Sequence, residues 1–327
     1  MGSPNTAFSE MVVSTLRKHN EELTDNVSKH NALLNRLEKK GKIEVIDGGY
    51  EIVEPLDYAE NSSFQRYSGY DILSVQASDV LSAAKYDWKQ AAVHVTANGR
   101  EIRMNQGRAQ LLKLVHARVQ NALRTFRNNL AADVYSDGTA ANQINGLQAL
   151  VADAGTGTVG GIDSSAYTFW KNAVQSAAAP LQGGSAITPS KTTIQSLMLP
   201  LWLELTRGGD APDIIVSSND YFTFYEESLS DLKRYTDEKE SVGGGFVSLK
   251  YKSADVIHDG GTLGGGIAAA HMYFLNTNFL KLVVHKDANL TEIPEQRAIN
   301  QDAVVVPIIW QGNLTLSNRS LQGVLKA

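Results

Sequence analysis

Hydrophobic and polar positions alternate first in Lys42-Ile43-Glu44-Val45-Ile46 and again in Tyr50-Glu51-Ile52-Val53-Glu54, with Asp47-Gly48-Gly49 between them. The pattern predicts two strands joined by a tight turn, a β-hairpin over 43–54. Pro55 limits how far the second strand pairs centrally. Extended-looking sequence resumes at Phe64–Val75 and Lys85–Thr96, which predicts two further strands, and Asn98-Gly99 closes the region with a turn. The stretch 43–75 is polar and aromatic, thin in aliphatic side chains. A two-stranded hairpin with so little core is marginal alone in water. Such an arm needs a surface to lie on, and another copy of the same chain is the simplest one.

The period then changes. Leu111, Leu112, Val115, Val119, Ala122, Leu123, Phe126, Leu130 and Val134 gather on one side at 100° per residue. They predict one long helix from Met104 to Tyr135, about 45 Å in length, stopped by Tyr135-Ser136-Asp137-Gly138. Upstream, residues 7–40 read as one or two helices. Leu33, Leu34 and Leu37 have helical spacing, and Lys39, Lys40 and Gly41 suit a C-terminus. That segment is either a solvated surface helix or an arm docked on a neighbour.

Downstream, small residues fill 146–161, and a helix is predicted over Tyr167–Ala178. Ser190–Leu205 reads as a helix kinked at Pro200, with Ser190 or Thr188 as cap. Pro212–Ser217 reads as a buried strand, and Asn219 as the cap of a helix to about Tyr235. The apolar runs 246–258 and 271–284 look like strands, separated by the glycine-rich stretch 260–266. Ala303–Trp310 and a last extended or mixed segment to Val324 finish the chain. No fixed-period repeat occurs. The mixture is α+β.

Composition narrows the function. The 327 residues are 43% hydrophobic and 20% charged, ordinary for a globular chain of two domains, or of one large domain with extensions. A net charge of −5 argues against a free-standing nucleic-acid binder. The absence of cysteine excludes disulfides, thiol catalysis and cysteine-based zinc sites. No signal-peptide pattern follows Met1 and no run approaches the ~20 apolar residues of a membrane span, so a cytoplasmic, membrane-free setting is expected.

Signatures of chemistry fail one by one. Gly184-Ser185-Ala186-Ile187-Thr188-Pro189-Ser190-Lys191-Thr192 approaches a phosphate loop, but Ser190 replaces its second glycine and Pro189 removes a needed N–H. Gly243-Gly244-Gly245 and Gly264-Gly265-Gly266 do not fit a dinucleotide fingerprint. Gly183-Gly184-Ser185-Ala186-Ile187 lacks the last glycine of a nucleophile elbow. The seven histidines are scattered, and in His258-Asp259 neighbouring side chains point apart. Glu226-Glu227 reads as a solvated helix face. No catalytic, metal or cofactor site is expected. One charge feature survives: between Ile102 and Ala132 there are six Lys/Arg and no acid. Lys113, Arg124 and Arg127 lie opposite the apolar stripe. They are either a solvent face paired to acids elsewhere or a non-specific contact for a polyanion; no RNA-binding aromatic motif accompanies them.

The order of these features resembles the major capsid proteins of tailed double-stranded DNA bacteriophages, with the Hong Kong 97-type fold. The hairpin from Ile43 resembles the family's extended loop, and the helix 104–135 its spine helix. Gly146-Leu147 resembles the entry to the axial domain. Asp213-Ile214-Ile215-Val216-Ser217 with its helix ending Leu232-Lys233-Arg234-Tyr235 resembles the axial strand and helix, and Ser248–Tyr251 to Val256-Ile257 the next strand pair. Met272-Tyr273-Phe274-Leu275-Asn276-Thr277 and Trp310-Gln311-Gly312-Asn313-Leu314-Thr315 are similar to stretches in one branch of these proteins.

The resemblance implies an N-terminal arm over 1–42, an extended loop over 43–75 and a peripheral domain over 76–146. It implies an axial domain over 147–300 and a C-terminal strand segment, 301–327, returning to the peripheral domain. It implies a virion protein assembled in the host cytoplasm into hexamers and pentamers around packaged double-stranded DNA. Scaffolding, portal and decoration proteins would be partners. Ile43, Val45, Tyr50, Ile52, Phe64, Arg66, Tyr67 and Tyr70 would meet a neighbouring subunit; Lys113, Arg124 and Arg127 would face DNA. Some members crosslink through a loop lysine, but no lysine occurs between Ile43 and Val75, so that chemistry is not expected. Two other readings stay open: an α/β enzyme or small-molecule binding protein using the region after Asp213, and another virion structural protein.

Overall fold

The computed structural model of the chain describes residues 32–73, 78–104, 108–229, 241–242, 246–247, 249–260, 266–294, 296–297 and 302–327. Helix α1 (Ala32–Lys39) buries Ala32, Leu33 and Leu37. It ends as its sequence predicts, with Gly41 left-handed at φ 63°. The rest of the segment expected over 7–40 lies outside the described residues.

The hairpin expected over 43–54 does not form. Strand β1 (Ile43–Ile46) pairs in parallel with Leu282–His285, while β2 (Ile52–Asp57) pairs antiparallel with β3 (Leu81–Tyr86). Asp47-Gly48-Gly49 is a crossing between two sheets, pinned by Trp88 Nε1 donating to the Gly49 carbonyl at 2.9 Å. The physical reason is cover. Leu282, Val283 and Val284 are buried and give β1 an apolar partner, which the thin second strand could not supply. Residues 64–73 form no strand. The strand expected over 85–96 is divided between β3 and β4 (Lys89–Asn98), and β4 pairs with residues 303–312.

The long helix expected from Met104 to Tyr135 is described on either side of residues 105–107, which lie outside the described residues. Helix α2 (Gly99–Met104) precedes α3 (Arg108–Asp133), whose 26 residues span about 39 Å. Its stop requires glycine at 146, where a Cβ would come within 2.5 Å of the Ser136 and Asp133 backbone. Helix α4 (Leu147–Leu150) and the short strands β5 (Thr158–Val159) and β6 (Ile162–Asp163) follow. The helix expected over 167–178 is instead a 3-10 turn at Thr168–Trp170 and a strand, β7 (Ala173–Ser176). Strand pairing with the C-terminus overrides local helical preference there.

Helix α5 (Ile194–Glu204) carries Pro200 in its interior, and Thr193 rather than Ser190 or Thr188 precedes it. Strand β8 (Ile214–Ser217) is wholly buried. Helix α6 (Asn219–Ser228) starts at Asn219, so Ser218 holds the cap position; its expected extension to Tyr235 lies outside the described residues. The remaining strands are β9 (Ser241–Val242), β10 (Phe246–Val247), β11 (Leu249–Tyr251), β12 (Ala254–His258), β13 (His271–Leu275), β14 (Leu280–Glu292), β15 (Gln296–Arg297), β16 (Ala303–Leu316) and β17 (Gly323–Lys326).

Two sheets organise the molecule. One runs β1-β14-β16-β15 with β4 on β16. Helix α3 lies on it through Val95, Ala122 and Ile308 and through Phe126, whose ring sits 5.9 Å from Trp310. The other runs β11-β12-β8-β13-β17-β7. It packs Ile215, Met272, Phe274 and Leu325 against Leu197, Leu201, Tyr221 and Tyr225 of α5 and α6. The sheets do not divide at residue 300. β14 belongs with β1 and β16, and β17 returns to the second sheet. Buried apolar side chains link both sheets across Tyr135, Leu147, Val216 and Leu316.

Candidate assembly surface

β2 and β3 form the root of a projecting arm. Their register runs from Ile52↔Tyr86 to Asp57↔Leu81, and residues 58–80 connect them. Alternation splits the ribbon into two faces. Ile52, Glu54, Ala84 and Tyr86 are buried, whereas Val53, Lys85 and Leu81 face outward. The Tyr86 hydroxyl donates to the Leu316 carbonyl at 2.8 Å and accepts from the Leu316 N–H at 3.3 Å. Burial pushes its phenol well above the ordinary value. Glu54 accepts from the Thr315 hydroxyl at 2.9 Å. Lys281 lies 3.0 Å from Glu44 and 3.5 Å from Glu54. The hydrogen bond it donates to Glu44 is the main reason its ammonium is held above the usual range. One lysine thereby ties β1, β2 and β14 together.

Beyond the root the cover stops. Phe64, Tyr70 and Ile72 are 79%, 105% and 94% exposed. Among the described residues, nine of the thirteen exposed large apolar side chains fall between Val45 and Leu81. A concentration of that kind marks a surface meant to be covered. Val45, Tyr50, Phe64, Arg66, Tyr67 and Tyr70 all lie exposed. Two expected contacts do not: Ile52 is buried in the subunit's own core, and Ile43 is half-buried against it. Even-odd alternation around Ile52 could have identified it, because Val53 is the outward neighbour. Ile72, Leu73 and Leu81 join the exposed set without a local sequence signal.

The basic side of α3 divides. Arg118 donates to both carboxylate oxygens of Glu101, at 3.0 and 3.2 Å, and to the Thr96 carbonyl at 2.9 Å. That hydrogen bond holds the Glu101 carboxyl below its ordinary range. Arg124 is half-buried and has a partner within the fold. Arg127 is exposed. The Lys113 side chain lies outside the described residues.

Asp213, the anchor of the enzyme reading, has a structural task. It accepts from the Thr277 N–H at 2.7 Å and the Thr277 hydroxyl at 2.8 Å, and it pairs with Lys40 and Arg36 of the N-terminal segment. Arg36 also reaches Asp255 at 3.0 Å. Replacing Asp213 by Ala strands Lys40 and the two Thr277 donors, while Arg36 keeps Asp255, and should cost about 2–3 kcal/mol, measurable as a lower urea midpoint. A cleft of about 130 Å³ between α3 and β4 is lined by Lys89, Val93, Phe126, Leu130, Asp133 and Trp310 among others. Its Asp133 is bound by Gln143 at 2.7 Å. Among the described residues no three His, Asp or Glu side chains converge to hold a metal. No helix there is long and apolar enough to cross a membrane.

No protein-family model and no curated protein sequence matches the chain. Solved structures do resemble it. The cyanophage A-1(L) capsid asymmetric unit aligns at 16% identity and TM-score 0.66, covering 94% of this chain and 95% of that one. The capsid of Myoviridae phage XM1 aligns at 12% identity and TM-score 0.55, covering 96% and 97%. Mycobacterium phage Bobi aligns at 9% identity and TM-score 0.55, covering 97% and 98%. Each alignment covers both chains nearly end to end, and the chain has the Hong Kong 97-type fold of tailed-phage capsids.

Proposed function

We propose that this chain is the major capsid protein of a tailed bacteriophage, a structural and not a catalytic protein. Copies form the hexamers and pentamers of an icosahedral shell around double-stranded DNA. They assemble in the host cytoplasm with scaffolding, portal and decoration proteins and end in the virion. The observation that carries this reading is the uncovered aromatic arm on a capsid fold. In this reading the arm over 52–86 is the extended loop. The β1-β14-β16 sheet with β4 and α3 is the peripheral domain, and the six-stranded sheet the axial domain. The test is electron microscopy of the expressed chain with its scaffold: closed shells are expected, and discrete small oligomers under every condition would contradict the proposal.

Of the two expected DNA-facing cations whose side chains are described, Arg127 is exposed and Arg124 is half-buried with a partner, so the contact is tested at Arg127, with Lys113 kept as a second candidate. A non-specific phosphate contact carries charge and no sequence information. Arg127→Glu should leave shell yield intact and lower the DNA content of filled particles, read as the ratio of full to empty shells in a density gradient. An unchanged ratio removes Arg127 from the DNA-facing surface.

A further inference from the structure

The root of the arm rests on a segment of its own subunit that is built around a buried cation. Arg319 is fully buried and meets four carbonyls: its Nε donates to Leu150 at 2.8 Å, and its terminal nitrogens donate to Gly157, Trp170 and Thr156 at 3.2 to 3.3 Å. These bonds wrap residues 150–170 around one guanidinium.

The outer side of that wrap touches the arm at two levels. At the root, the Lys85 N–H donates to the Gly160 carbonyl at 2.9 Å. Gly160 is left-handed at φ 58°, and a Cβ there would lie 2.8 Å from the Ala84 Cβ and 3.1 Å from the Tyr86 ring. No larger residue fits between wrap and arm. Further out, where the Tyr58 N–H donates to the Val80 carbonyl at 3.0 Å and closes the ribbon, the Tyr58 ring lies 6.1 Å from that of Phe169. Phe169 is backed in turn by Trp170, at 6.0 Å, which is buried and donates to the Val159 carbonyl at 2.9 Å. A two-stranded ribbon is pliable on its own; two contacts at different heights fix its direction.

We propose that residues 156–170 form a brace that sets the direction of the arm in the free subunit, with Tyr58 and Phe169 as positioning residues for assembly. An arm aimed beforehand loses less conformational freedom when it meets a neighbour. Only this consequence for assembly rests on the capsid reading; the brace itself is a property of the single chain.

The chain contains no cysteine, so two introduced thiols are uniquely labelled. Spin labels at Tyr70→Cys on the arm and Glu204→Cys on α5 report the arm's direction in dilute, unassembled subunits. The parent should give one narrow distance distribution. Tyr58→Ala and Phe169→Ala should each broaden it at least about twofold, with helix and strand content unchanged by circular dichroism, and Tyr58→Phe should restore the narrow form. A parent distribution already broad, or one left unchanged by Tyr58→Ala, overturns the brace. If Phe169→Ala does not fold, Tyr58→Ala, which leaves the Phe169–Trp170 packing in place, decides alone. Shell yield is then scored separately. A parent chain that never forms shells contradicts the capsid reading and leaves the distance result standing.

Discussion

Replacing residues 58–80 by a short turn should yield a folded, soluble subunit that forms no closed shells. The register of β2 and β3 ends at Asp57↔Leu81, so the cut leaves Ile52, Glu54, Ala84 and Tyr86 in their buried places. What it removes is surface. Covering a large apolar side chain is worth roughly 1.5–3 kcal/mol, so Phe64, Tyr67, Tyr70 and Ile72 could contribute about 6–12 kcal/mol per arm before the cost of ordering. The cut removes Phe64, Tyr67, Tyr70, Ile72 and Leu73 from the exposed apolar set and leaves Val45, Tyr50, Val53 and Leu81 at the root, with Tyr167, Leu181, Leu199 and Leu203 elsewhere on the described surface. Circular dichroism should match the parent, and sedimentation should show subunits or small oligomers. Closed shells at parental yield would refute the clasp. A cut over 43–75, the loop bounds that the family resemblance implies, should behave quite differently. It would remove β1 and β2, and with them Ile52 and the partners of Lys281, and should unfold the subunit.

The second large effect is expected at Arg319. Burial pulls its pKa down to about 10, so it stays protonated at neutral pH. It is held by carbonyl oxygens of Leu150, Thr156, Gly157 and Trp170. Replacement by Ala leaves the Leu150, Thr156 and Trp170 carbonyls in a cavity without their donor, while Gly157 still accepts from the Ser164 hydroxyl at 3.0 Å. At about 1 kcal/mol or more for each unsatisfied acceptor, the loss is at least about 3 kcal/mol, a large share of the ~5–15 kcal/mol that holds a typical domain. The thermal midpoint should fall by about 6 °C or more for a chain of this size, or soluble subunit should fail to accumulate. Arg319→Lys keeps the charge but not the planar fork, and should fall in between. A midpoint within about 1 °C of the parent for Arg319→Ala would show that the wrap does not depend on the guanidinium.

Much of this architecture was legible in the chain because its signals are local. The apolar stripe of α3, the buried strand Ile214–Ser217 and the glycine stop after α1 each follow from spacing within one element. What escaped is long-range pairing. Asp47-Gly48-Gly49 has hairpin turn chemistry, yet β1 finds its partner more than 230 residues away in Leu282–His285. Ala173–Ser176 becomes a strand because Gly323–Lys326 lies beside it. No window of sequence contains either partner. The candidate surface shows the same division. Tyr50, Phe64, Tyr67 and Tyr70 stood out as aromatics in a polar stretch, whereas Leu81 was invisible until β3 gave it an outward side. Arg319 carried no signal, since one arginine near a C-terminus reads as surface until four carbonyls close on it.

The most direct test of the central claim is a cryo-electron microscopy reconstruction of particles formed by the full-length chain. The account predicts closed icosahedral shells in which the density for Phe64, Tyr67 and Tyr70 lies on an adjacent subunit, away from solvent. Shells whose arms stand free in solvent, or fold back over their own subunit, would contradict it.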